Sequence, residues 1–172
     1  QDFEYNYEII PVDNNSDDGT PKVIDRFEEE YPEKVRGCVE KEIQSSYAAR
    51  NTGLKKAEGE IICFLDADMW VEEDYLSDIH RFFTDNSEVD YIGCNVEIVR
   101  TNQTAASLFD KMNGFPVKEY IEEKNFAPTC CLSVRKDVFE KEGDFNEDLI
   151  SGGDKTFGKK ISRSGIKIRY VG

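Results

Sequence analysis

Short apolar runs alternate along this chain with stretches in which apolar residues recur every three or four positions, the patterns of strands and helices in turn. Residues 7–12, Tyr7-Glu8-Ile9-Ile10-Pro11-Val12, read as a first strand. Pro11 lacks a backbone donor and so belongs at the strand's end or at a sheet edge. The polar cluster Asp13-Asn14-Asn15-Ser16-Asp17-Asp18-Gly19 follows as a tight loop, because its short side chains bond their own backbone. Thr20 as N-cap and Pro21 at the first helical position open a helix in which Val23, Phe27 and Tyr31 fall four apart on one face. Residues 34–39 read as a second strand and residues 44–57 as a helix with Ala48, Ala49, Leu54 and Ala57 available for packing.

Ile61-Ile62-Cys63-Phe64-Leu65 is the clearest strand signal. Five apolar residues in a row predict a short strand buried on both faces and central in its sheet, and the run leads directly into Asp66-Ala67-Asp68. A helix over residues 72–84 carries Tyr75, Leu76, Ile79, Phe82 and Phe83 on a broad stripe, with His80 off it at the surface. Residues 90–99 read as a strand, and residues 101–125 as two short helices broken by Gly114 and Pro116. Residues 129–134 form a further strand, 136–142 a short helix, and 143–147 a loop carrying Asp144 and Phe145. Gly152-Gly153-Asp154 precedes a helix with Phe157 and Ile161 inward, and residues 166–171 make a last strand. Strand and helix alternate throughout, which predicts an α/β fold with a mostly parallel sheet flanked by helices. The 172 residues form a single domain without repeat or linker, residues 1–99 and 100–172 being its two halves.

Charge narrows the partners. The chain carries 36 acidic and 22 basic residues, a net charge of −14, which argues against nucleic acid. Glu28-Glu29-Glu30 and Glu72-Glu73-Asp74 read as solvated helix faces. No apolar run reaches the length of a membrane span, so no transmembrane segment is expected. Five cysteines without metal-ligand spacing suit a reducing compartment; the expected location is cytoplasmic, at most peripheral to the inner face of the membrane. Cys130 and Cys131 are expected on opposite faces of a strand, as small core residues.

Three acidic groups stand at strand ends or in nearby loops: Asp13 to Asp18, Asp66 with Asp68, and Asp154. Loops that follow successive parallel strands emerge on one edge of a sheet, so the first two groups should meet. The polar loop can hydrogen-bond a base and ribose. Two hard carboxylates separated by small Ala67 suit Mg²⁺ or Mn²⁺ carrying diphosphate oxygens. Gly152 and Gly153 free the backbone to bring Asp154 close to a ligand, and local sequence leaves it open whether Asp154 is a general base or an N-cap.

Four blocks in order resemble the inverting glycosyltransferases of family 2, which have the GT-A fold. Val12-Asp13-Asn14-Asn15-Ser16-Asp17-Asp18-Gly19-Thr20 is similar to that family's first nucleotide loop. Tyr47-Ala48-Ala49-Arg50-Asn51-Thr52-Gly53, Ala57-Glu58-Gly59-Glu60-Ile61 and Phe64-Leu65-Asp66-Ala67-Asp68 are similar to its central block. The stretch from Phe139 to Glu147 and Gly152-Gly153-Asp154-Lys155-Thr156-Phe157-Gly158 are similar to its acceptor-side block. The resemblance implies a nucleotide-diphospho-sugar donor and a carbohydrate, lipid-linked or protein acceptor. It implies that Asp13, Asn14 and Asn15 contact the base and ribose, that Arg50 and Asn51 flank that pocket, and that Asp66 and Ala67 lie near the ribose. Asp68, with Asp66, would hold Mn²⁺ or Mg²⁺, and Asp154 matches the family's catalytic base.

Two departures accompany the resemblance. The family opens with an apolar strand ahead of the nucleotide loop and often continues to a histidine that joins the metal site, so this sheet is expected to lack its first strand and its C-terminal extension. Gly153 also stands where the family commonly has Glu before the Asp. Competing readings are an inactive nucleotide-sugar-binding or scaffold domain of the same fold, and a haloacid dehalogenase-like phosphatase. The latter wants Thr or Val two residues after the second acid, where this chain has Trp70. A nucleotidyltransferase would open with a Gly-rich basic loop that is absent here.

Overall fold

The computed structural model describes residues 1–99, 104, 108 and 114–172. Strand β1 (Val12–Asp13) pairs in parallel with β2 (Cys38–Val39), and a parallel bridge from Ile9 to Val35 prolongs the ribbon. A second sheet holds β3 (Ile61–Cys63), β4 (Tyr91–Cys94), β5 (Leu132–Arg135) and β6 (Ile168–Val171) in the order β3-β5-β4-β6. The α-helices whose bounds lie among the described residues are α1 (Thr20–Glu30), α2 (Ser46–Lys56), α3 (Tyr75–Asp85), α4 (Val117–Lys124), α5 (Lys136–Glu142) and α6 (Gly153–Arg163). The α/β class is as expected. No described helix is long and apolar enough to cross a membrane.

The sheet is mixed rather than mostly parallel, because β5 runs antiparallel to both β3 and β4. The excursion after Cys94 returns to the end of the sheet it left, setting Leu132 opposite Gly93. Insertion of β5 between β3 and β4 also corrects the expectation of a central β3. Among the described residues β3 pairs on one side only, its three residues are half-buried, and Leu65 beyond it is exposed. Gly93 lets α4 lie close to β4, since a Cβ there would meet Ala127 at 2.6 Å and Ile121 at 2.8 Å.

Two apolar clusters cover the sheet. Tyr91, Leu132, Val134, Phe139, Phe145, Phe157 and Ile161 belong to the larger one, and Ile79, Phe83, Val89 and Ile92 to the other. Neighbouring Tyr91 and Ile92 fall into different clusters, as the two-residue period of a strand requires. The α3 stripe is as the spacing predicts, with Ile79 and Phe83 buried.

Other expectations change. Gly19 rather than Thr20 is the N-cap of α1, and the Asp18 carboxylate accepts the Thr20 N–H at 2.8 Å. The predicted face of α1 is exposed; its contact face lies one residue on, where Ile24 and Glu28 rest on Gly37 and Glu28 accepts the Gly37 N–H at 2.7 Å. Cys130 and Cys131 sit in the 3₁₀ turn Thr129–Cys131 before β5 rather than on a strand. His80 is packed by the N-terminal segment, with its ring 4.4 Å from Tyr5 and 5.7 Å from Phe3. The helix expected before Gly114 lies outside the described residues.

Candidate functional site

Helix α2 ties together segments that lie far apart in the sequence. Ser45 caps it, its hydroxyl accepting the Tyr47 N–H at 3.2 Å and standing 3.3 Å from the Leu149 carbonyl to which it donates. Four residues in two turns then reach four distant segments. Gly53 meets β1, where a Cβ would come to 3.0 Å from Val12, the residue before Asp13. Arg50 pairs with Asp66 at 2.8 Å beyond the end of β3. Asn51 binds the loop 145–147, and Tyr47 reaches the start of α6.

At the end of β1, Asp13 is buried and both carboxylate oxygens lie 3.2 Å from the Ser16 N–H, which folds the polar loop back on itself. Asn15 adopts a left-handed conformation, φ 59°, that Asn tolerates in tight turns. The Asn14 side-chain oxygen is buried without a hydrogen-bond partner among the described residues. A buried amide oxygen in that state costs stability unless something donates to it, so this atom is left able to accept an N–H or O–H.

Beyond β3 the backbone turns, with the Met69 N–H donating to the Asp66 carbonyl at 3.1 Å. Arg50, 18 % exposed, neutralises Asp66, 44 % exposed. Asp68 and Ala67 are exposed, and Asp68 has no hydrogen bond or ion pair among the described residues. One acid is therefore fixed and neutralised while its neighbour keeps an uncompensated charge. No cluster of three or more His, Cys, Asp or Glu forms a metal site among the described residues. Two carboxylate side chains fit Mg²⁺ or Mn²⁺ when water and diphosphate complete the shell, and both are hard oxygen donors.

Asn51 is 1 % exposed. Its amide N–H groups donate to the Phe145 carbonyl at 2.9 Å and to a Glu147 oxygen at 2.8 Å, and its oxygen accepts the Phe145 N–H at 3.1 Å. Both donors are used within the protein. Asn51 thus clamps the acceptor-side loop with its whole side-chain amide.

Asp154 lies in the first turn of α6 but is not its cap. Gly152 is the cap, at φ 73°, a left-handed conformation open to glycine. The Asp154 carboxylate accepts the Lys155 N–H at 2.8 Å, and its charge adds to the burial that raises the pKa of the Tyr91 phenol. Beneath the site Phe145 is 4.6 Å from Phe157, 5.5 Å from Phe64 and 6.1 Å from Tyr47, a shared aromatic floor.

Sequence reasoning missed Tyr47 as part of the site, although its position three residues before Arg50 puts the two on one helix face. It also missed Cys130. That thiol is held below its ordinary value chiefly by a hydrogen bond with Cys131, and the charges of Asp66 and Arg50 both act on it.

A mixed-sheet α/β domain with a polar loop after one strand and an Asp-Ala-Asp turn after another has the architecture of the GT-A fold. The chain belongs to the glycosyl transferase family 2, whose profile matches residues 1–143. It is 38% identical over 166 residues to "Glycosyltransferase AglE" of Haloferax volcanii, covering 96% of this chain and 54% of that protein. The solved mannosyltransferase PcManGT from Pyrobaculum calidifontis, in complex with GDP-Man and Mn²⁺, is similar with TM-score 0.71 and 26% identity, over 95% of this chain and 45% of that one. TarS of Staphylococcus aureus in complex with UDP-GlcNAc shares the fold, with TM-score 0.74 and 23% identity over 99% of this chain and 49% of that one. The chain thus spans about half the length of the relatives it resembles over nearly its whole extent.

Proposed function

We propose that this chain is the catalytic core of a glycosyltransferase that moves a sugar from a nucleotide-diphospho-sugar to an acceptor hydroxyl with inversion. The observation that carries the reading is the continuous path Asp66–Arg50–Tyr47–Gly153–Asp154, which joins the donor-side acids to the candidate base through one helix. The bound GDP-Man and Mn²⁺ of PcManGT support the same class of donor and cation.

In this reading Asp13 shapes the loop, while Asn14 and Asn15 contact the base and ribose; the unpartnered buried oxygen of Asn14 supports that role. Arg50 holds Asp66 beside the ribose, with Ala67 leaving room. Asp68 and Asp66 hold Mn²⁺ or Mg²⁺, which when bound offsets the charge on the diphosphate leaving group. The acceptor is a carbohydrate, lipid-linked or protein hydroxyl. Its oxygen bonds to the anomeric carbon as the bond to the diphosphate oxygen breaks, and Asp154 takes the hydroxyl proton. One displacement inverts the anomeric centre, with no sugar–enzyme bond.

Asp154→Asn keeps the shape of the side chain and removes the base. Release of nucleoside diphosphate from a panel of UDP-, GDP- and dTDP-sugars with Mn²⁺ should fall by about 100-fold or more, while binding of the donor persists. Normal turnover in the variant would show that another group takes the proton. A wild-type chain that binds a sugar nucleotide and never turns it over is instead a nucleotide-sugar-binding domain.

A further inference from the structure

We propose that Tyr47 is a positioning residue for transfer, setting Asp154 relative to the donor-side Arg50–Asp66 pair; this rests on the reading of Asp154 as the base. The first N–H groups of a helix have no partner within it, and a buried one must find its partner elsewhere. At the start of α6 the buried Gly153 N–H donates to the Tyr47 hydroxyl at 2.8 Å. A Cβ at position 153 would lie 2.6–2.7 Å from three atoms of the Tyr47 ring, so the ring and the helix start are in tight contact. Asp154 is the next residue and shares the first turn.

The same ring faces the donor side. The Arg50 guanidinium carbon stands 5.6 Å from its centre, and Arg50 holds Asp66 at 2.8 Å. Tyr47 itself is 6 % exposed, capped at its N–H by Ser45 and packed on Phe145. One rigid side chain therefore fixes two groups that an in-line displacement needs at a set separation. This also explains why glycine precedes Asp154: the volume that a side chain at position 153 would enter is filled by Tyr47.

Tyr47→Phe keeps the ring and removes the hydroxyl. With Mn²⁺ and GDP-mannose or UDP-GlcNAc as probe, kcat for nucleoside diphosphate release should fall about tenfold to 100-fold, with KM for the donor unchanged. Placed on top of Asp154→Asn, the same substitution should cause no further loss, because its effect passes through that carboxylate. An equal loss in both backgrounds, or no loss in either, would overturn the proposal. Gly153→Ala presses on the same contact from the other side and should give the same pattern. Normal turnover in Asp154→Asn alone would defeat the base assignment instead. If the wild-type chain releases no nucleoside diphosphate, the reading of the site fails, and amide hydrogen exchange still decides on Tyr47. Exchange at residues 153–157 should be faster in Tyr47→Phe than in wild type, and an unchanged rate would overturn the role.

Discussion

Helices α1 and α2 have the same length and opposite histories in sequence and structure. In α1 the apolar residues recur with regular spacing, yet none of its residues is buried, and Val23, Phe27 and Tyr31 are 46%, 41% and 46% exposed. In α2 the apolar pattern is poor, yet Tyr47, Ala48, Asn51 and Leu54 are buried and every block of the site is tied to it. The difference teaches that periodicity reports where a helix is apolar, whereas its place in a fold follows from contacts that span the chain. The Asn51 bonds bridge 94 and 96 residues and the Tyr47 bond 106.

The strongest way to break this comparison is to empty the Asn51 clamp. Asn51→Ala leaves the Phe145 N–H and carbonyl buried and unpaired, and should cost about 2–4 kcal/mol in urea unfolding. A loss below about 0.5 kcal/mol would mean that the loop holds itself, and α2 would not be the hub described. The smallest effect should come from the other helix. Phe27→Ser removes one of two stacked exposed rings, 6.3 Å apart, and should change stability by no more than about 0.5 kcal/mol in the same assay. A larger loss would reveal that the apolar face of α1 is covered in solution.

Much of the fold was legible because local pattern and tertiary outcome agree. The α3 stripe, the short helix α5 and the inward Phe157 and Ile161 of α6 follow directly from spacing. The direction of β5 was not legible, since a short apolar strand carries no mark of parallel or antiparallel pairing. Nor was the place of β3 at the end of the strand order among the described residues, because five consecutive apolar residues look alike whether one neighbour covers them or two. At the site, the acids announced themselves by residue type and by their place after strands. The bonds of Asn51 to the 145–147 loop and the place of Tyr47 did not, because an amide and a phenol serve ligands and backbone equally well, and only their distant partners decide between them. Gly153 was read as freeing the backbone to bring Asp154 to a ligand, and the Tyr47 ring packed against it was not legible.

The central claim is that the loop after β1, the Asp66-Ala67-Asp68 turn and α2 form a metal-dependent sugar-nucleotide site. Calorimetric titration of GDP-mannose and UDP-GlcNAc, with and without Mn²⁺, into wild type and Asp68→Ala tests it most directly. The account predicts that wild type binds one of these donors only when Mn²⁺ is present and that Asp68→Ala loses this binding. Equal binding by both proteins, or binding that ignores Mn²⁺, would contradict it.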